Sequence, residues 1–352
     1  MAAVQLTGHG GLDKLVYRDD VSVPEPGPGE VLLRVAAAGV NNTDINTRIG
    51  WYSKSVSGST GGAIPVGYGD DGGWTGSALV FPLIQGADAC GHIVATGAGV
   101  EPTRIGERVL VRTMQQDPSG LPFRTVTLGS EMNGAFAQYM VARSSESYAI
   151  QCDWTDAELG SIPCAYSTAE NLLHRSSVSA GERVLVTGAS GGVGSAVVQL
   201  AKRRGATVIA IVGASKRPAL ETLGADHVVA RGDDVASVLG KESVDAVIDL
   251  VAGPQWPSLL EVLRCGGRYA TSGAIAGPIV ELDMRTLYLK DLMLIGATFQ
   301  EPVVFQNLVG YIERNEIRPL VHATYPLREI VRAQTEFLAK NFVGKLVLVP
   351  PS

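Results

Sequence analysis

Four cysteines, Cys90, Cys152, Cys164 and Cys265, are spread over 352 residues, and no two of them form a CxxC pair. That spacing excludes a disulfide framework and a cysteine-rich structural zinc lobe, so reduced thiols are expected. No basic stretch followed by an apolar one opens the sequence, and no run approaches the roughly 18 apolar residues of a membrane span. A cytoplasmic protein with no membrane partner is expected. Charged residues are only 18% of the chain, with a net charge of −6 and no Lys/Arg cluster. Such a surface repels phosphate backbones, so nucleic acid is not an expected partner. No low-complexity tract occurs, and 45% of residues are hydrophobic, enough for two packed domains.

The first 150 residues read as short β-branched strands separated by Gly and Pro. Glu30 to Ala38, Ala89 to Thr96 and Arg108 to Arg112 are examples. Ser53 to Ser77 is rich in Gly, Ser, Asp and Thr and reads as a long loop, a pocket element or a plain surface insertion. From about Ala180 the rhythm becomes strand, helix, strand, which predicts a doubly wound α/β unit with a parallel sheet. Strands are expected at Arg183 to Thr187, Thr207 to Val212, His227 to Ala230, Ala246 to Leu250, Arg268 to Ser272 and Leu292 to Phe299. After Phe299 a helical segment, Tyr325 to Ala339 and Lys345 to Val349 are too little for a third domain. Residues 155–299 are therefore expected to form the α/β unit, and 1–154 with 300–352 the β unit.

The strand Arg183 to Thr187 runs into Gly188-Ala-Ser-Gly-Gly-Val-Gly194 and then a helix. In that context the glycines have a mechanism. Gly191 lets backbone approach a pyrophosphate, Gly194 lets helix and strand pack, and the helix N-terminus supplies N–H donors. The expected dinucleotide contacts are Ala189, Ser190, Gly191, Gly192, Val193 and Gly194. The second strand ends in Gly213-Ala-Ser-Lys-Arg217 with no acid to receive a ribose hydroxyl. A hydroxyl and two cations at Ser215, Lys216 and Arg217 favour NADP(H), unless Lys216 and Arg217 simply solvate the next helix.

Taken together, Gly39-Val-Asn-Asn-Thr-Asp44, Gly86-Ala-Asp88, Gly106-Glu-Arg-Val109, the Gly188 turn and Val343-Gly-Lys-Leu-Val-Leu348 resemble the medium-chain dehydrogenase/reductase superfamily, most closely its quinone oxidoreductase branch. The resemblance runs end to end. It implies a GroES-like catalytic domain beside a Rossmann domain, and a homodimer paired through the Leu292 to Phe299 edge. It also implies that Thr168, Ser272, Gly273 and Lys345 line the nicotinamide or pyrophosphate. Zinc members carry a GVCxTD cysteine, a GHE His-Glu pair and a further cysteine. Here those positions hold Asn41, Ala87, Asp88 and Cys164, and one thiol cannot supply the three ligands a catalytic zinc requires. No metal site is therefore expected. Cys90 and His92 would share a strand face with Asp88, a rival ligand set that strand alternation alone also explains.

Without a Lewis acid, the expected substrates are conjugated carbonyl acceptors: quinones, enones, enals or enoyl thioesters. Donors implied by the resemblance are Tyr52, Asn41 and Arg48; Trp51 beside Tyr52 leaves ordinary aromatic packing open as another role for it. Asp44 is expected to be structural, with a carboxylate pKa near 4. Two other readings stay open: a zinc-dependent alcohol dehydrogenase with unusual ligands, and a low-turnover NADPH-binding protein.

Overall fold

The structure, a computed structural model, describes residues 1–61 and 71–352. A Pro-Gly turn releases the long strand β1 (Glu30–Gly39), whose alternate residues Val31, Leu33, Val35 and Ala37 are buried. Alternation of this kind puts one face into a core. Helix α1 (Asn42–Arg48) follows at once, capped where Asp44 Oδ2 accepts the Asn41 N–H at 2.7 Å. β1 pairs antiparallel with β2 (Cys90–Thr96) and β4 (Tyr139–Arg143). The sheet continues through β3 (Arg108–Val111) to β5 (Ser147–Ala149).

Helix α2 (Pro163–Arg175), which the hydrophobic pattern does not mark, connects the two units. Pro163 sits in its first turn, where a missing N–H costs nothing. Then come β6 (Arg183–Val186), α3 (Gly192–Arg203), β7 (Thr207–Val212), α4 (Arg217–Leu223), β8 (His227–Ala230), β9 (Val244–Asp249), α5 (Trp256–Val262), β10 (Leu263–Thr271) and β11 (Met293–Gly296). Six parallel strands pair in the order β8-β7-β6-β9-β10-β11. This is the doubly wound sheet, and its order reverses beside β6, where the glycine turn emerges.

Past β11, helix α6 (Pro302–Glu313) lays Phe305, Leu308 and Ile312 into the core that holds Val184, Val208 and Leu172. It packs on α2, so the return to the β unit begins after this helix rather than at residue 300. β12 (Val321–Pro326), α7 (Ile330–Ala339) and β13 (Lys345–Val349) follow. β13 pairs parallel with β12 and antiparallel with β1, opposing Val347 to Gly39. That brings Lys345, at the start of β13, beside the end of β1 and the cap of α1. No helix among the described residues is long and apolar enough to cross a membrane.

Candidate active site

A cleft of about 870 Å³ lies between the two units. Its floor is the glycine turn. Gly188 has φ +59°, a left-handed conformation that glycine adopts without strain. A Cβ on Gly194 would meet the Gly188 carbonyl at 2.3 Å, so close packing of α3 on β6 requires glycine. A Cβ on Gly191 would meet only the Gly188 carbonyl, at 3.5 Å, and would otherwise fill open cleft. Space left for a ligand, together with the amino end of α3, is what a pyrophosphate needs. Gly191, Gly192, Val193 and Gly194 line the cleft with Thr168 from α2, and Ser272 and Gly273 just past β10. Ala189 and Ser190 lie beneath the turn, where the Ser190 carbonyl accepts the Gly344 N–H at 3.0 Å.

Beyond the turn sits a buried polar knot that joins distant parts of the chain. The Lys345 ammonium donates to Asp88 Oδ2 at 2.8 Å and to Asn41 Oδ1 at 2.5 Å. Asp88 Oδ1 accepts the Cys164 N–H at 2.5 Å, at the start of α2. Asn41 Nδ2 donates to Asp88 Oδ2 at 2.8 Å and to the Gly39 carbonyl at 3.2 Å. Both amide hydrogens of Asn41 are thereby spent, so the expectation that Asn41 donates to substrate is corrected: it positions Lys345 and Asp88. Burial pushes the Cys164 thiol well up, so it stays protonated at neutral pH. Asp44 is also corrected, because burial raises it to about 7, against the pull of the Asn41 N–H and Lys345.

The far half of the cleft is polar and aromatic. Tyr52 O–H donates to Thr43 Oγ1 at 3.1 Å, and burial raises the phenol well above its ordinary value. Its ring packs on Trp51 and Trp74 at 5.7 and 5.2 Å between centroids, so the phenol has packing and polar roles at once. Asn42 Nδ2 donates to Asn46 Oδ1 at 3.3 Å, while its buried Oδ1 has no partner among the described residues. Sequence reasoning did not single out Thr43 or Asn42. Arg48 does not reach this space. Its Nε donates to Gln334 Oε1 at 2.9 Å on α7 and an Nη to the Gly10 carbonyl at 2.7 Å, a correction of its expected role. As the last residue of α1 it points into the β unit's own interior, where its charge is held. Of the Ser53 to Ser77 loop, Lys54 and Trp74 line the cleft, and Thr60 N–H donates to the Ile275 carbonyl across it at 3.1 Å. Gly62 to Asp70 lie outside the described residues.

At the end of β7 Ser215 is exposed. Lys216 directs its ammonium to the carbonyls of Lys340 and Phe342, at 2.6 and 2.8 Å, and to Ser190 Oγ at 3.4 Å. Arg217 turns to the Val228 carbonyl at 2.9 Å. The donors of Lys216 are consumed but its charge is not. It lowers the pKa of Lys340, after burial, while Arg231 acts on Lys216 in the same way. Lys340 and Arg231 thus complete a cationic corner that sequence reasoning missed, because Lys340 arrives from the end of α7 and Arg231 from the end of β8.

The Cys90, His92 and Asp88 alternative does not converge. Cys90 is core, its sulfur 4.0 Å from Asp156, whereas the Asp88 carboxylate is taken up by Lys345. Among the described residues no three His, Cys, Asp or Glu side chains gather at one point.

Residues 27–151 match the alcohol dehydrogenase GroES-like domain family and residues 192–314 the zinc-binding dehydrogenase family. The crystal structure of a Sinorhizobium meliloti 1021 protein provisionally named an alcohol dehydrogenase superimposes with a TM-score of 0.89 at 47% identity, covering 100% of this chain and 97% of that one. Rat quinone oxidoreductase is 26% identical over 99% of this chain and 98% of its own. The acryloyl-coenzyme A reductase of Metallosphaera sedula is also 26% identical, over 99% of each. The chain belongs to the medium-chain dehydrogenase/reductase superfamily, in its quinone oxidoreductase-like branch. It is therefore a nicotinamide dinucleotide oxidoreductase built from a GroES-like and a Rossmann unit. Zinc, which the name of the second family implies, does not fit the residues at the superfamily's ligand positions. Asn41 and Ala87 offer no anionic ligand and the Asp88 carboxylate is held by Lys345, which leaves the single thiol of Cys164 at those positions.

Proposed function

We propose that the chain is an NADP(H)-dependent reductase of conjugated carbonyl acceptors, namely quinones, enones, enals or enoyl thioesters, acting without zinc. The observation that carries this reading is the Lys345 ammonium seated between Asn41 and Asp88, a fixed cation that occupies the donors a metal would need. A simple aldehyde or ketone in this site has no Lewis acid to stabilise an alkoxide. A conjugated acceptor spreads the developing charge and needs only hydrogen-bond donors.

A bound nicotinamide dinucleotide supplies the hydride. Gly191 to Gly194 hold its diphosphate at the amino end of α3, and Thr168, Ser272 and Gly273 flank the nicotinamide end. The corner of Lys216, Arg231 and Lys340 supports the choice of NADP(H): Lys216 and Arg231 carry charge for a 2′-phosphate, and Lys340, which burial and Lys216 lower to about 7, takes up a proton beside one. Tyr52 stays protonated and donates to Thr43, which leaves the Thr43 hydroxyl hydrogen available for a substrate oxygen. Asn42 Oδ1, unpartnered among the described residues, is placed to accept from a donor group of a bound ligand. Lys345, held by Asp88, keeps positive potential behind the forming oxyanion. The same reading makes the protein a homodimer through β11, where Met293 is 52% and Leu294 39% exposed beside Tyr288 and Leu289 of the preceding helix. An apolar sheet edge of this kind is covered by pairing.

The test is NADPH and NADH oxidation at matched concentrations against quinones, enones, enals, enoyl thioesters and saturated aldehydes, with and without a chelator. Chelator-resistant turnover of conjugated acceptors, with NADPH preferred, is the expected result. Turnover confined to saturated aldehydes and abolished by the chelator would overturn it.

A further inference from the structure

The charges that line the cleft are all of one sign. Lys54, Arg175, Lys340 and Lys345 face it, and among the described residues no Asp or Glu does, on a chain whose net charge is −6. Three of these cations already have a place. Lys345 serves the buried knot, Lys340 the corner at the end of β7, and Lys54 lies by Asp71 on its own loop. Arg175 remains. It is the last residue of α2, the helix that also carries Cys164 and Thr168, and at about 1.5 Å per residue it stands about 10 Å along the axis beyond Thr168. Among the described residues Arg175 makes no hydrogen bond or ion pair; its guanidinium carbon lies 5.9 Å from the centre of the Phe123 ring.

Phe123 itself is unusual. It is 70% exposed and has φ +60°, which a bulky side chain adopts only at a cost of about 1 kcal/mol or more. It packs edge-on against Phe299 at 5.3 Å, and the Phe299 carbonyl is fixed by Asn171 Nδ2 at 3.0 Å. The outer end of the cleft therefore presents two packed aromatic rings and a guanidinium that has no anionic partner among the described residues. A guanidinium of this kind matches a phosphate, and the rings match an apolar or planar group beside it.

We infer that Arg175, Phe123 and Phe299 form a subsite for the phosphate-bearing tail of an extended substrate, and that the acceptor is an enoyl thioester of a phosphopantetheine carrier such as coenzyme A. The inference rests on the proposed reduction of conjugated acceptors and narrows it. A bare quinone fills only the inner half of the cleft, whereas a thioester with its reactive double bond near Thr43 and Tyr52 extends its tail along α2 to Arg175.

The experiment compares wild type with Arg175→Gln and Arg175→Glu, using NADPH and three acceptors: crotonyl-coenzyme A, crotonyl-N-acetylcysteamine, which lacks any phosphate, and a neutral quinone. In wild type, KM for the coenzyme A thioester is expected to lie well below that of the truncated thioester and to rise with salt. Arg175→Glu should raise KM for the coenzyme A thioester about tenfold or more, with kcat and both neutral acceptors within about twofold. Equal effects on all three acceptors, no effect on any, or a parallel loss of NADPH affinity would each overturn the subsite. Coenzyme A binding measured calorimetrically in wild type and Arg175→Glu reads the subsite without turnover. Failure of wild type to reduce any conjugated acceptor would instead overturn the underlying function, and leaves that binding comparison intact.

Discussion

Asp44 is a carboxyl that burial in α1 sets apart from an ordinary aspartate. Its folded pKa, about 7, lies above the ordinary 3.8, so the folded state holds its proton more tightly than the unfolded chain does. The stabilising contribution is therefore complete below the ordinary value and is lost as pH rises through about 7. Thermal melts of wild type and Asp44→Asn across that window should diverge, with the wild type losing stability relative to the variant as pH climbs. Parallel curves would show that the carboxyl titrates normally. The cationic corner makes a second prediction at this scale. Arg231→Ala and Lys340→Ala should each raise KM for NADPH about tenfold and leave NADH within about twofold, the worth of one charged hydrogen bond to a phosphate. Sequence reasoning saw Ser215, Lys216 and Arg217 because they follow β7 directly. It did not see Lys340 or Arg231, because nothing local marks a side chain that reaches a site from another element. Arg48 and Asn41 were misread for the matching reason: residue type suggested a donor, and only packing reveals that the donors are already used.

Among the elements, those whose physics is local were the legible ones. Buried parallel strands need β-branched runs bounded by glycine, and β6, β7, β8 and β9 lie within a residue or two of where those runs place them. Helix α2 escaped because it buries Ser167, Thr168, Glu170 and Asn171 along with its apolar residues, so no clean stripe survives in the sequence. Its signal was Pro163 followed by a stretch free of glycine and proline. The turn between β6 and α3 separates packing from ligand approach. Gly194→Ala forces a Cβ against the Gly188 carbonyl and should lower the melting temperature as well as cofactor affinity. Gly191→Ala has open space, so its melting curve should stay close to wild type while NADPH affinity, followed by cofactor fluorescence, falls about tenfold or more. Equal losses of stability in both variants would remove the distinction.

For the whole molecule, the proposed homodimer rests on the exposed edge of β11. Met293→Lys with Leu294→Lys places two charges on the proposed two-fold contact, and sedimentation should show the variant as monomer where wild type sediments as dimer. An unchanged wild-type monomer would remove the pairing. The buried knot has a consequence of another kind, one of timing. Lys345 lies 304 positions from Asn41 and 257 from Asp88, and Asp88 lies 76 from Cys164. Domains emerging from the ribosome fold from the amino end as they appear. The GroES-like strands are therefore made long before the residue that neutralises Asp88, and until β13 is released that carboxylate has no cation to face. On the proposed function, the site is complete only once β13 has joined β1, so nascent chains that lack β13 are expected to be inactive even where the earlier strands have formed.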